Sequence, residues 1–333
     1  MESQVTIDLY PEFGWMMNGE AVYAPGSIFE GDVTVKTDTT LPRATLKMLF
    51  IGAENLRPDV AAMSGVLLEQ TPFFAVRTML VGKDRPSEIT TGTHRYPFAI
   101  QLPMVNYPPS FEHHLCKCSF RLVVVLQVEN QPRRYCERQI RYIPYIETSP
   151  LKSHHTVSSQ KCTITLPSLS YVPSDNIPIS YDSSQHALLA ISIKLCRRLS
   201  YGIAGTINHM DEFVYQTDTK FHEPVFSGIT YFTLPENLTP SIDYSDFMSM
   251  SYTLEISVKR NKLLGTAVHL KVPITIGTMG PGIRTPTELK TYRMAKPGTP
   301  STRNTTPAFV PRIEYEDCLP EYDDCRLPTY QAV

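Results

Sequence analysis

The sequence predicts an all-β protein with two sandwich domains and a proline-rich tail. Apolar and polar residues alternate in short runs through most of the chain, which is the period of half-buried strands. Proline is frequent, with 28 residues against 16 glycines, and the runs between the prolines are rich in Val, Ile, Thr, Tyr and Phe, which favours strands over helices. A length of 333 residues fits two domains more readily than one, at roughly 100–200 residues per domain.

The first strand series extends from residue 5 to about 145 and predicts a domain over residues 1–150. Its clearest members are Ser27–Lys36, Ala44–Phe50, Tyr96–Pro103 and Phe120–Val128. The last of these is apolar enough to lie centrally in a sheet. A helical pattern is confined to Pro58–Leu68.

A second strand series predicts another domain over residues 151–278. Between the two series, residues 146–160 are rich in Ser, Thr, Pro and His, which is typical of a linker. The predicted strands are Cys162–Leu166, Leu188–Leu195, Ser249–Val258 and Ala267–Ile276. Beyond Gly277 prolines recur and apolar residues become too few for another core, so we expect residues 279–333 to be a disordered tail with an acidic end.

Composition and patterning exclude several classes of function. The 31 basic and 33 acidic residues give a net charge of −2, which argues against a nucleic-acid partner. The N-terminus has no secretory pattern and no apolar run approaches 18 residues, so we expect a cytoplasmic protein without a membrane span. Seven cysteines, an odd number spread along the chain, indicate free thiols rather than a disulfide framework.

Catalytic and metal-binding patterns are weak. No Gly-x-Ser-x-Gly, His-Glu-x-x-His or phosphate-loop sequence occurs, and we expect neither an enzyme nor a cofactor. His113, His114, Cys116 and Cys118 supply atoms that zinc binds, but their spacing is not that of a zinc finger. A polar turn before the strand at Phe120 is the favoured interpretation.

Three segments of the first half carry a family resemblance. Tyr23–Val33 (YAPGSIFEGDV) resembles a run in the arrestin N-domain, although Ser27 replaces the usual Glu. Tyr96–Pro103 (YPFAIQLP) followed by Tyr107–Glu112 (YPPSFE) is similar to the signature of α-arrestins. His113 stands where Gly is common in that family.

The second half continues the same resemblance. Tyr171–Ile177 is similar to the turn that opens the arrestin C-domain, and Ser251–Val258 with Val272–Thr278 resembles its closing strands. The likeness covers about residues 5–278. It implies tandem arrestin-like sandwiches of the immunoglobulin type and the function of a trafficking adaptor.

The tail repeats one short motif, Leu-Pro-x-Tyr. The two copies are formed by Leu319, Pro320 and Tyr322, and by Leu327, Pro328 and Tyr330. A proline followed by x-Tyr offers an extended segment and a ring of the kind that WW domains bind, and each Leu takes the place of the first Pro in the usual Pro-Pro-x-Tyr motif.

Together with the resemblance, these motifs imply a non-enzymatic adaptor. It would bind a membrane transporter or receptor as cargo and recruit a WW-domain HECT-type ubiquitin ligase, which leads to cargo ubiquitination, endocytosis and endosomal sorting. The protein would be cytoplasmic and recruited to the plasma membrane and endosomes. The alternative is a retromer-like structural sorting subunit, which needs no ligase motif.

One basic cluster has two interpretations. Arg133, Arg134, Arg138 and Arg141 lie in one hairpin-sized segment. They are either edge charges that keep sheets from pairing with neighbours, or a patch that binds an anionic cargo tail or makes a peripheral contact with anionic lipid.

Overall fold

The fold consists of β-strands arranged in two sandwiches, and the predicted all-β fold class is confirmed. The computed structural model describes residues 3–10, 15–17, 19–56, 70–83, 85–129, 131–148, 153–203, 206–245, 248–260, 267–292 and 305–312. No α-helix occurs within these ranges, so none of them could cross a membrane as an apolar helix. The helical pattern at Pro58–Leu68 lies outside the described residues.

Twelve strands build the N-terminal sandwich. They are β1 Gln4–Leu9, β2 Trp15–Met17, β3 Glu20–Tyr23, β4 Ile28–Thr37, β5 Leu41–Leu56, β6 Gln70–Val81, β7 Ser87–Ile89, β8 Gly92–Gln101, β9 Val105–Asn106, β10 Phe111–Glu112, β11 Cys116–Val128 and β12 Gln131–Tyr142. One sheet contains β1, β4 and β8 in that order, and the other has the order β2-β3-β12-β11-β5-β6. Phe29, Phe50 and Phe120 are fully buried between them.

A close approach between β1 and β4 explains the glycine in the Tyr23–Val33 run. The two strands pair in antiparallel register, with Leu9 opposite Gly31. A Cβ at Gly31 would lie 2.2 Å from the carbonyl oxygen of Asp8 and 2.9 Å from the ring of Phe98. Only glycine leaves room for this contact.

Nine strands build the C-terminal sandwich. They are β13 His155–Ser159, β14 Cys162–Leu166, β15 Ser170–Tyr171, β16 Asn176–Ser183, β17 Leu188–Ile203, β18 Thr206–Val225, β19 Ser227–Thr233, β20 Met248–Arg260 and β21 Val268–Ile276. The sheets have the orders β13-β14-β16-β19 and β15-β21-β20-β17-β18. β21 alternates strictly between buried and exposed residues, and this alternation is the pattern that predicts a strand from the sequence.

The chain beyond the second sandwich returns to the first. β22, Lys290–Thr291, pairs in parallel with β9, and β23, Ala308–Val310, pairs antiparallel with β8. The first sheet therefore has the full order β1-β4-β8-β23.

This return corrects the predicted extent of the tail. Residues 279–292 and 305–312 are ordered against the body, whereas residues 293–304 and 313–333 lie outside the described residues. The prediction was based on too few apolar residues for a new core, but Tyr292 and Phe309 pack against the core that already exists. A strand added to an existing sheet needs far less apolar surface than an independent domain.

Candidate functional site

The Pro-Pro-Ser-Phe-Glu segment has a structural role in the N-terminal sandwich. The Ser110 hydroxyl accepts a hydrogen bond from the Tyr142 amide at 2.9 Å and donates one to the Ile140 carbonyl at 3.2 Å. The Ser110 amide also donates to the Tyr142 carbonyl, at 2.9 Å. The signature thus fastens the segment before β10 to the end of β12.

A hydrogen-bonded cluster joins the two sandwiches at His113. Its Nδ1 accepts a bond from the Leu115 amide at 3.2 Å, so its proton lies on Nε2, which donates to Glu212 Oε1 at 2.6 Å. Arg197 donates from Nε and Nη2 to the other Glu212 oxygen. The His113 and Glu212 side chains are only 8% and 18% exposed.

This cluster sets the charge state of Glu212. Burial by itself raises the carboxyl pKa, but the hydrogen bonds from His113 and Arg197 outweigh it and the pKa is lowered. Burial by itself lowers the pKa of Arg197, but its interactions with Glu212 and Tyr252 outweigh burial and the pKa is raised. Both groups are therefore charged at neutral pH, and the contact is a charge-assisted link between the sandwiches.

The four residues considered as zinc ligands are not brought together. Cys116 and Cys118 are buried in β11. Burial raises the pKa of Cys116 to about 12 and that of Cys118 well above its ordinary value, so both remain thiols. His113 and His114 instead lie near Glu212, with one ligand atom of each within 4.8 Å of the others.

The hydrogen bonds of this trio favour a domain contact over a metal site. A metal on His113 Nε2 would require the proton to move to Nδ1, which would break the bond from Leu115. The Arg197 guanidinium on Glu212 would also oppose a cation there. The arrangement serves as an interdomain link as it stands.

The described cysteines lack the features of catalytic nucleophiles. Cys116, Cys118, Cys136, Cys162 and Cys196 are free thiols. Burial is the leading cause of a raised pKa at every one of them. A reactive thiol needs the opposite shift.

The residues of the predicted basic cluster lie along β12, and those whose side chains are described line two cavities. Arg138 and Arg141 line one cavity of about 800 Å³ together with Lys117. Arg134 lines a different cavity of about 600 Å³ with Lys36. The Arg133 side chain lies outside what the structure describes.

Three acidic residues, Glu20, Glu112 and Glu137, line the larger cavity beside its three basic residues. Arg141 is ion-paired with Glu20 at 3.3 Å and Lys117 with Glu112 at 3.0 Å. Arg138 is exposed on the same cavity wall. An anion in this cavity would therefore have to compete with Glu20 for Arg141.

A contact that sequence analysis missed joins the C-terminal segment to the N-terminal sandwich. Arg312 Nε lies 3.3 Å from Glu30 Oε2, and Glu30 is only 3% exposed. The Arg312 guanidinium also lies 5.2 Å from the ring centroid of Tyr10. Nothing in the sequence links residues so far apart, so no local signal could have found the pair.

The motif residues Leu319, Pro320, Tyr322, Leu327, Pro328 and Tyr330 lie outside the described residues. They follow Arg312, the last residue that the structure describes. The ligase-binding prediction therefore stays a prediction.

Two β-sandwiches joined by charged hydrogen bonds define a protein of the double-sandwich class. The family model described as arrestin (or S-antigen), N-terminal domain, matches residues 12–149, and the model for the arrestin C-terminal domain matches residues 158–281. The chain belongs to the arrestin family, and the resemblance predicted from its motifs is confirmed. This membership supports an adaptor role and indicates no catalytic family.

One curated relative is similar over part of the chain. It is named pH-response regulator protein palF/RIM8, from Eremothecium gossypii, and is 24% identical over 153 residues. The match covers 43% of this chain and 27% of the relative. The chain therefore spans well under two thirds of that protein's length.

Proposed function

We propose that this arrestin-family adaptor binds a membrane transporter or receptor and recruits a WW-domain HECT-type ubiquitin ligase through its two Leu-Pro-x-Tyr motifs. Ubiquitination of the bound cargo would then direct its endocytosis and endosomal sorting. The proposal includes a cytoplasmic protein that is recruited to the plasma membrane and endosomes. The regulatory name of the palF/RIM8 relative is compatible with such a role.

The placement of the motifs carries the proposal. Both copies follow Arg312 and so lie after both sandwiches and after β23. Short recognition motifs commonly lie in segments that follow a folded domain in the sequence. Two copies eight residues apart suit a ligase with several WW domains, because the second binding event is intramolecular.

The test measures binding of a purified tandem WW-domain pair to the full chain by calorimetry. Tyr322→Ala with Tyr330→Ala should abolish binding, and either single change should weaken it in part. Tyr315→Ala is the matched control, since it removes a tail tyrosine outside both motifs. Thermal unfolding should be the same in all variants.

The outcome also decides between the proposal and the alternative. Equal binding by the double variant and the parent would mean that the motifs do not recruit the ligase. In that case a structural sorting subunit of the retromer type becomes the better description of this double sandwich.

A further inference from the structure

The C-terminal segment 305–312 pairs with the edge of β8 that β4 does not occupy. Ala308 pairs with Gln101, Phe309 with Ile100 and Val310 with Ala99. β4 occupies the other edge of β8, so β23 completes the sheet. Phe309 is half-buried and packs against the core.

Polar contacts hold both ends of this segment. At its start, the Tyr107 hydroxyl donates to the carbonyl of Thr305, which is 8% exposed. At its end, Arg312 reaches Glu30 and covers the Tyr10 ring. A buried carboxylate without a counter-charge is costly, so Glu30 favours the docked position of Arg312.

The strand direction leads the chain away from the domain interface. Tyr107 lies at that interface, because its carbonyl accepts a bond from the Tyr244 hydroxyl of the C-terminal sandwich. Thr305 is bonded to the same Tyr107. β8 runs toward Tyr107, and β23 pairs with it in the opposite direction. The chain therefore moves away from Tyr107 along β23, and Arg312 lies farther from the C-terminal sandwich than Thr305.

We propose that segment 305–312 is an anchor that fixes where the motif-bearing tail leaves the body, so that a ligase bound to Leu319–Tyr322 is held beside the N-terminal sandwich. This inference rests on the proposed function of the motifs. Leu319 is seven residues past Arg312. A chain of that length limits Leu319 to within roughly 25 Å of the Arg312 backbone. With segment 305–312 detached, the last described residue before it is Tyr292, and the limit counted from there grows to roughly 95 Å.

The anchor thus restricts the partner to one side of the molecule. A WW domain on the first motif would lie beside the N-terminal sandwich and away from the distal end of the C-terminal one. The second motif, starting at Leu327, has a limit of about 50 Å. A WW domain on the first motif is therefore held within a smaller distance of Arg312 than a WW domain on the second motif.

The test maps where a bound WW domain lies on the full chain. A tandem WW-domain pair carrying a photo-cross-linker is bound at saturation, irradiated, and its cross-links are located by mass spectrometry. For the parent we expect most cross-links on residues 1–150 and a minor share on residues 151–278. For Arg312→Glu and for Phe309→Asp we expect about a threefold larger share on residues 151–278, following the longer reach.

Matched variants separate release of the anchor from other effects. Arg85→Glu makes the same charge change at an exposed loop position and should leave the cross-link map unchanged. Hydrogen exchange provides the folding control. Segment 305–312 should lose protection in the two anchor variants, while β5 and β11 keep theirs.

The outcomes distinguish this inference from the function on which it rests. If the WW pair does not bind the parent, the proposed function and the positioning both fail. If it binds, but the parent's cross-links are spread over both sandwiches or do not change on release, only the anchor role is overturned. A parent in which segment 305–312 exchanges as fast as an unfolded peptide also overturns it.

Discussion

His113 donates a 2.6 Å hydrogen bond to Glu212 across the domain boundary. His113 directly follows β10 in the first sandwich, and Glu212 lies within β18 of the second. Arg197, opposite Glu212 in β17, holds the other carboxylate oxygen. Glu212 thus accepts hydrogen bonds from both sandwiches. It is therefore the residue of this contact whose substitution should matter most.

We expect Glu212→Gln to lower the free energy of unfolding by about 1–3 kcal/mol, because the variant loses charge-assisted bonds at a mostly buried position. Urea unfolding of the full chain measures the change. Glu223→Gln, at an exposed position of the same strand, is the matched control and should have little effect. Equal losses in the two variants would contradict a special role for Glu212.

The stabilisation by Glu212 should depend on pH. Its folded-state pKa lies below the ordinary value of 4.5, so the carboxylate contributes fully above pH 4.5 and its contribution is lost as the pH falls through the lowered pKa. The stability difference between the parent and Glu212→Gln should therefore be constant from about pH 7 to pH 5 and shrink below pH 4.5. A difference that grows in acid would reverse the assigned sign.

The glycine at the β1–β4 contact should not tolerate a side chain. Gly31→Ala places a Cβ against the Asp8 carbonyl, and we expect a loss of about 1–3 kcal/mol from the forced backbone shift. Gly280→Ala is the control, because the nearest atom to its Cβ would be 4.0 Å away. Thermal unfolding compares the two, and a stable Gly31→Ala variant would show that the strands can separate at this point without cost.

Sequence patterns predicted the central strands well and the edges poorly. β11 was predicted because its sequence is nearly continuous in apolar residues, and β21 because its buried and exposed residues alternate strictly. β18 was missed because this edge strand carries charged residues beside exposed apolar ones such as Phe213. β23 was missed because a strand of three residues is too short to show an alternation of apolar and polar residues in the sequence.

The candidate sites show a similar division. The run around Ser110 was recognisable because it is contiguous in the sequence, and the structure gives its serine a role in fastening the segment to β12. The contacts of Glu30 and Glu212 depend on partners brought close only by the tertiary fold. No periodicity or spacing encodes such pairs, so the structure was needed to find them.

The ion pair between Arg312 and Glu30 should be energetically coupled. Arg312→Ala leaves the Glu30 carboxylate buried without that partner, so we expect it to cost about 1–3 kcal/mol. In Glu30→Gln the same arginine change should cost less, with a coupling energy on the order of 1 kcal/mol in a double-mutant cycle. Additive losses, measured by urea unfolding, would mean that the 3.3 Å contact contributes nothing specific.

The cavity lined by Arg138 and Arg141 is the best-placed part of the predicted anion patch. Each basic group held near an anionic surface contributes about 1 kcal/mol. Arg138→Glu with Arg141→Glu should therefore weaken binding to phosphatidylserine vesicles by at least tenfold at low salt and make the remaining binding less salt-dependent. Lys83→Glu with Arg85→Glu makes the same charge change at exposed positions elsewhere on the N-terminal sandwich and should have a smaller effect. If both pairs weaken binding equally, net charge explains the attraction, and the β12 arginines act only as edge charges.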